Sequence, residues 1–460
     1  MTVAPPSSIM HDSQPSDGGR TIIWRLSGRI TAVWFSAVML AVVLLPQSVV
    51  GDDAVRRVML NQLAEGIKPD TKYSFIQPMV SLPLFWVFDN LQFGIYAVTL
   101  LPIIWMSVWS YVVWRVLARE LSVTFAHHVV VLTVASMIGA SLIGFSSDVF
   151  TALLMSGGVI VGLLARSRVG RVAAWTVFVV GAANTPVMFV ATTVMVGFLV
   201  VGQRRIRYAA LPVAVFVLMV IEATVVSGRL GWTRYTNGVE HGVVPLLPWG
   251  DVQGFGWPLW SGLLAVLFSF GRGVVFFIPT LWNGVTTASG PIARAEHALW
   301  ALLVTLVPIY ATWWAWFGGV SFGPRFFMIG VVPAAMATSS LLCRTDRSVL
   351  RSVVGASSVV LSSWVAISGA VFGVTTTAFQ WCASGGGFNN FALCLYTPEY
   401  SGLWAPIWAA DPAGSRDLLF ALTVCVFVAP TLWLFLSPTI FPFRRQTHRL
   451  RTHLVGRWSL

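Results

Sequence analysis

Asp52 and Asp53 stand side by side just past an apolar stretch, Thr31 to Val50, that carries no charge over twenty residues. Twenty helical residues rise about 30 Å, enough to cross a bilayer, so the carboxylates emerge at a membrane face. Acids placed there accept protons or hold ions. A carboxylate within hydrogen-bond reach of a hydroxyl takes its proton as the oxygen attacks. Two like charges so close favour one raised pKa, or a divalent ion between them. The plainer role is to cap the helix that begins at Ala54 and to complement its dipole. The two residues alone are compatible with either role.

The element that must position them is a membrane bundle. Hydrophobic residues make up 56% of the 460 residues and charged residues only 10%, with a mean hydropathy of +0.78. Such a chain must turn most of its surface to hydrocarbon. Apolar runs between charged breaks predict twelve spans, near 30–50, 92–117, 128–146, 149–165, 172–184, 186–202, 207–227, 273–287, 297–315, 325–342, 349–373 and 417–438. The fold class expected is all-α and polytopic. Residues 1–29 are Pro-, Ser- and Asp-rich at the start and read as a disordered cytoplasmic tail, 30–438 as the transmembrane domain, and 439–460 as a basic cytoplasmic tail.

The net charge of +12 is distributed one-sidedly. Arg20 to Arg29, Arg115 and Arg119, Arg166 to Arg171, Arg204 to Arg207, Arg294, Arg344 to Arg351 and Arg444 to Arg457 place 20 of the 29 basic residues on the N-terminal side, with only five of the 17 acids. Positive-inside asymmetry then puts both termini in the cytoplasm and Asp52 outside. The basic excess is a topology signal, and no nucleic-acid partner is expected. The bias of 27 Arg against 2 Lys points to a GC-rich genome.

Three long segments fall on the Asp52 side: 51–91, 227–272 and 375–416. In the first, Ala54, Val58, Met59, Leu63 and Ile67 fall at helical spacing opposite Arg56, Arg57, Asn61, Gln62 and Glu65, which predicts a helix lying along the interface. Phe75 to Val87, interrupted by Pro78 and Pro83, predicts a second interfacial helix, and Phe255 to Leu267 a third. Trp249, Trp257, Trp260, Trp313, Trp314, Trp316, Trp404 and Trp408 read as headgroup-level anchors. Cys382 and Cys394 share the last of the long segments and predict a disulfide there, whereas Cys343 and Cys425 read as apolar filler.

Among other polar residues, Asp148 after Ser146-Ser147 reads as a helix cap, and Asn184-Thr185-Pro186 as a turn. Glu222, the one acid deep in a predicted span, is expected to meet a donor from a neighbouring helix. His127-His128 lack further ligands at zinc spacing.

The order "GDDAVRRVMLNQLAEGIKP…KYSFIQP" at 51–78, "FSFGRGVVFFIPTL" at 268–281 and "WWAWFGGVSFGPRFF" at 313–327 resembles that of GT-C glycosyltransferases, whose acidic pair opens the first external loop. The resemblance implies a GT-C-like transmembrane domain and an inverting transfer of a sugar, arabinofuranose or mannose, from a polyprenyl-phosphate donor. The acceptor would be an envelope glycan or glycolipid at the outer face of a bacterial plasma membrane, and the motif style is similar to that of actinobacterial members. Asp52 is then the base, with Asp53 orienting the acceptor or a divalent cation. A departing phosphate needs cationic donors, a role that suits Arg272, Arg325 and Lys72 with Tyr73. Arg325 at a span end equally snorkels to headgroups. Glu240 and His241 in the second segment contact acceptor or solvent. No P-loop or Rossmann unit is present, so the lipid-linked sugar rather than a nucleotide sugar is the expected substrate, and a divalent cation is the one cofactor left open. The competing reading, a secondary transporter or lipid flippase, predicts internal repeats and ionisable residues at mid-membrane; only Glu222 lies that deep.

Overall fold

The structure, a computed structural model, describes residues 17–46, 49, 51–69, 71, 73–91, 96–203, 205–227, 254–285, 290–319, 321–344, 348–373, 391–409 and 414–440. Every regular element among them is helical. Among the described residues seven helices are long and apolar enough to cross a membrane, or eight with the bent pair Val123–Val134 and Met137–Ile143 counted as one broken span. The chain is an all-α, multi-pass membrane protein.

In chain order the elements are α1 (Asp17–Leu44), α2 (Asp52–Ala64), α3 (Ile76–Asn90), α4 (Tyr96–Glu120), α5 (Val123–Val134), α6 (Met137–Ala140), α7 (Ser147–Leu164), α8 (Arg168–Ala183), α9 (Val187–Gln203) and α10 (Ala210–Ile221). They continue with α11 (Leu259–Phe268), α12 (Val274–Phe277), α13 (Pro291–Ala311), α14 (Val331–Cys343), α15 (Val349–Ile367), α16 (Phe391–Tyr396) and α17 (Ser415–Ile440). Small residues set how closely they pack. A Cβ on Gly158 would lie 2.6 Å from Phe178 Cβ, and one on Gly181 2.7 Å from Leu154 Cβ, so α7 and α8 meet nearly backbone to backbone.

The bend between α5 and α6, 46°, has a local cause. Ser136 leaves the helical region and its hydroxyl accepts from Ile138 N–H, starting a new helix. The Ala135 carbonyl freed by the break accepts from the Ser362 hydroxyl at 2.7 Å. An exposed carbonyl is costly inside a bilayer, and a neighbouring helix supplies the missing donor.

The expected span at 273–287 is not a continuous helix, and this corrects the hydropathy reading. α12 stops after one turn because Pro279 excludes the α region at Ile278, which sits at φ −126° and ψ 64°. A 3₁₀ turn, Pro279–Asn283, follows. The run nevertheless descends through the bundle: Arg272 bonds Gly319 near Arg325, while Asn283 donates to Thr338 in α14 and Ser358 in α15, both at 2.9 Å. Irregular backbone is tolerated at that depth because protein encloses it, with Phe277, Ile278, Pro279 and Thr280 all buried.

The first long segment contains the two expected helices, α2 and α3, packed on each other. Their faces differ from the pattern read in sequence. Arg56, assigned to the polar face, is buried with Met59 and Leu60, while Val58, assigned to the apolar face, is 54% exposed. Trp257 and Trp316, expected as interfacial anchors, are buried with ring centroids 6.1 Å apart, whereas Trp260 and Trp408 are exposed. Trp249 lies outside the described residues.

Candidate active site

Gly51 begins the construction of the site. Its φ of 57° and ψ of −127° are open to glycine and strained for other residues, and they turn the chain sharply into α2. Asp52 and Asp53 thereby occupy the first turn, where the helix dipole favours negative charge. Arg56, one turn on from Asp52, bonds the Ser74 carbonyl at 3.3 Å and lies 5.2 Å from the Tyr73 ring centroid.

Tyr73 and α3 are held from across the bundle. Glu222 accepts from Phe75 N–H at 3.1 Å, and Asn184 accepts from Gln77 N–H at 3.2 Å while donating to Thr151. Gln77 donates in turn to the carbonyls of Phe145 and Ser146. Glu222 thus meets a backbone donor of the first long segment, and Asn184 is more than a turn residue. These anchors fix where Tyr73 can stand. Its hydroxyl donates to Asp52 Oδ1 at 2.6 Å, so Tyr73, assigned in the sequence to donor phosphate, is committed to the carboxylate here.

Arg325 arrives from the opposite wall. Gly318, Gly319 and Gly323 all have positive φ, and a Cβ on the first of these would lie 3.1 Å from the Arg325 side chain. The guanidinium donates to Asp52 Oδ2 at 2.5 Å, and its Nε lies 3.7 Å from Asp148 Oδ2. Asp148 was read as a cap. The capping oxygen is instead that of Ser146, which accepts from Val149 N–H; Asp148 turns to the arginine and joins the cluster. Arg272, buried beside them, donates to the Gly319 carbonyl at 3.1 Å.

The two adjacent aspartates differ in kind. Both are partly desolvated, which favours the protonated form. For Asp52 burial is outweighed by the Arg325 charge and by the hydrogen bonds from Tyr73 and Arg325, so its pKa lies below the usual value. For Asp53 burial wins over the attraction of Arg325 and Arg56, with Asp148 and Asp52 adding repulsion, and its pKa is pushed up to about 7. Among the described residues the Asp53 carboxylate has no hydrogen bond or ion pair. Burial first, then the Arg325 charge, lowers Arg272 to about 9, which leaves it cationic at neutral pH. Burial and the Asp52 carboxylate hold the Tyr73 phenol protonated.

A cavity of about 130 Å³ opens between Asp52, Asp53, Ser141, Ser146, Ser321 and Arg325. Its far wall is the end of α15, where a π turn, Ser368–Phe372, is pinned by the Ser368 hydroxyl donating to the Gly402 carbonyl at 2.7 Å. Gly369 leaves room there for Phe322, which a Cβ would meet at 2.4 Å. Chemically the site offers a carboxylate able to take a proton near neutral pH beside two guanidinium groups able to hold an anion.

Lys72, Glu240, His241 and Cys382 lie outside the described residues. Cys394 is disulfide-bonded, and Cys343 and Cys425 are thiols. Among the described residues no group of three or more His, Cys, Asp or Glu side chains gathers as a metal site.

No protein-family model matches the chain, and no curated protein matches it in sequence. Two solved structures are similar to it. One is ArnT from Cupriavidus metallidurans in the apo state, at 13% identity and a TM-score of 0.45, covering 91% of this chain and 77% of that one. The other is ArnT from the same organism bound to undecaprenyl phosphate, at 12% identity and a TM-score of 0.46, covering 90% of this chain and 80% of that one.

Proposed function

We propose that this protein is an inverting glycosyltransferase that moves a sugar from a polyprenyl-phosphate donor to a hydroxyl of an envelope glycan or glycolipid. The observation that carries the reading is the cavity in which Asp53, poised near neutrality and without a hydrogen bond or ion pair among the described residues, shares the lining with Arg325, with Arg272 held nearby on the Gly319 carbonyl. The sequence motifs supply the substrate class. In this reading Asp53 accepts the proton of the acceptor hydroxyl as its oxygen bonds the anomeric carbon. The bond from that carbon to the phosphate oxygen breaks on the opposite face, and its electron pair leaves with the phosphate. Arg272 and Arg325 hold the charge that develops there, as preorganised donors do in a water-poor site.

This reading exchanges the roles first given to the two aspartates. Both oxygens of Asp52 are occupied, by Tyr73 and Arg325, and a carboxylate held ionised by a guanidinium is a weak base. Asp52 therefore aims Arg325. The membrane is the bacterial plasma membrane, both termini are cytoplasmic, and the site faces the exterior; the one-sided arginines support this orientation. The sugar is arabinofuranose or mannose, on the motif resemblance.

The test uses the full chain in lipid nanodiscs with a polyprenyl-phosphate sugar and a glycan acceptor. Transfer by the wild type that is abolished in Asp53→Asn, with the variant's melting transition retained, supports the proposal. Equal transfer by both sinks the base assignment, and movement of the donor across liposomes without transfer favours a carrier.

A further inference from the structure

At the end of the bundle opposite Asp52 lies a second cavity, about 710 Å³, that the proposed reaction does not use. Five arginines line it: Arg168 and Arg171 from the first turn of α8, Arg205 and Arg207 from the turn before α10, and Arg294 from the start of α13. No carboxylate lines it, and among the described residues none of the five arginines makes an ion pair. The nearby Arg166 differs, being paired with Glu120 at 2.9 Å.

Below the arginines the lining turns apolar. Trp175 and Tyr208 form the floor, rings edge to face at 5.7 Å, with Arg207 over Tyr208 at 5.5 Å. Gly162 permits this floor, because a Cβ there would lie 2.6 Å from the Trp175 ring. Val172, Val179, Leu211 and Ala214 continue the surface along α8 and α10, and Val172 is 61% exposed.

We propose that this cavity binds one anionic phospholipid, its phosphate held by the arginines and its acyl chains lying along α8 and α10. The argument is charge complementarity joined to polarity. Five guanidinium groups with no carboxylate among the described lining residues repel one another and are relieved by phosphate, which they bind in fork geometry. A free anion would use the arginines alone, whereas a phospholipid also covers the exposed valine face that leads away from them. Basic pockets between membrane helices recognise headgroups by this combination.

The full chain in detergent is tested by native mass spectrometry with phosphatidylglycerol, phosphatidylcholine and inorganic phosphate. A single phosphatidylglycerol should bind at least about tenfold more tightly than phosphatidylcholine, and Arg168→Gln with Arg207→Gln should abolish most of that preference, at roughly a few-fold per arginine. Inorganic phosphate should not displace the lipid at equal concentration. A diazirine-bearing phosphatidylglycerol should label peptides within 168–179 and 205–214, which locates the site even if the double variant fails to fold. Equal binding of the two lipids, full competition by inorganic phosphate, or label spread evenly over the bundle would each overturn the proposal.

Discussion

The two ends of this bundle use the same side chain in opposite ways. At the Asp52 end, Arg56, Arg272 and Arg325 are withdrawn from solvent, and each is aimed by a carbonyl or a carboxylate. At the other end, Arg168, Arg205, Arg207 and Arg294 are exposed, and no acid is among the described residues that line their cavity. What an arginine does is decided by what faces it. Where a carboxylate is near, the pair organises a site and shifts the protonation of its neighbours; where none is near, the arginines wait for an anion from outside the chain.

The comparison breaks most severely if its acidic half is removed. Asp53→Asn should lower kcat for sugar transfer by roughly 10²–10⁴-fold, the usual worth of a general base, with a small change in KM. Arg325→Lys is next, with a fall of about 10²-fold or more, because a lysine cannot bridge Asp52 and phosphate together. Steady-state transfer assays with purified variants check both. A substitution at the other end outside both cavities, the exposed Arg351→Gln, should leave kcat within about twofold, as surface charges away from a site usually do.

Protonation sharpens the contrast. Asp148 adds repulsion that raises Asp53, so Asp148→Asn should move the acidic limb of the pH–rate profile to lower pH. Stability carries the same signature with a definite sign. Asp53 holds its proton in the folded state until about pH 7, whereas its unfolded value is near 3.8. The native state therefore loses stability as pH rises through that window. Melting temperatures measured from pH 4 to 8 should fall more for the wild type than for Asp53→Asn.

The smallest effects are expected where packing alone is touched. A Cβ on Gly262 would lie 1.6 Å from the Ala311 carbonyl oxygen, so Gly262→Val should displace α11 from α13 and cost about 1–3 kcal/mol. Thermal unfolding in detergent measures it, and transfer at low temperature should persist.

The helical membrane frame was legible in the sequence, because hydropathy is a property of runs. Gly51-Asp52-Asp53, Arg272 and Arg325 were visible for a related reason: glycine and proline mark where the backbone departs from helix, and charges beside such breaks stand out. What depended on direction was hidden. Asp148 and Ser146 both suit a cap, and only the loop holding Arg325 decides which of them turns away. Arg56 looked solvated until α3 folded over it. The order of the two aspartates as bases was likewise invisible, since it rests on Tyr73 and Arg325 reaching one carboxylate and not the other. The break at Ile278 escaped because an apolar run scores alike whether helical or not.

The central claim is that Asp53, and not Asp52, takes the proton. The most direct measurement is kcat/KM for transfer against pH, in the wild type and in Asp52→Asn. The account predicts a single acidic limb near pH 7 in the wild type. In Asp52→Asn the limb should shift to lower pH, because the neighbouring negative charge that helps raise Asp53 is gone. A wild-type limb at the ordinary carboxylate value near 3.8, or transfer abolished in Asp52→Asn but retained in Asp53→Asn, would contradict it.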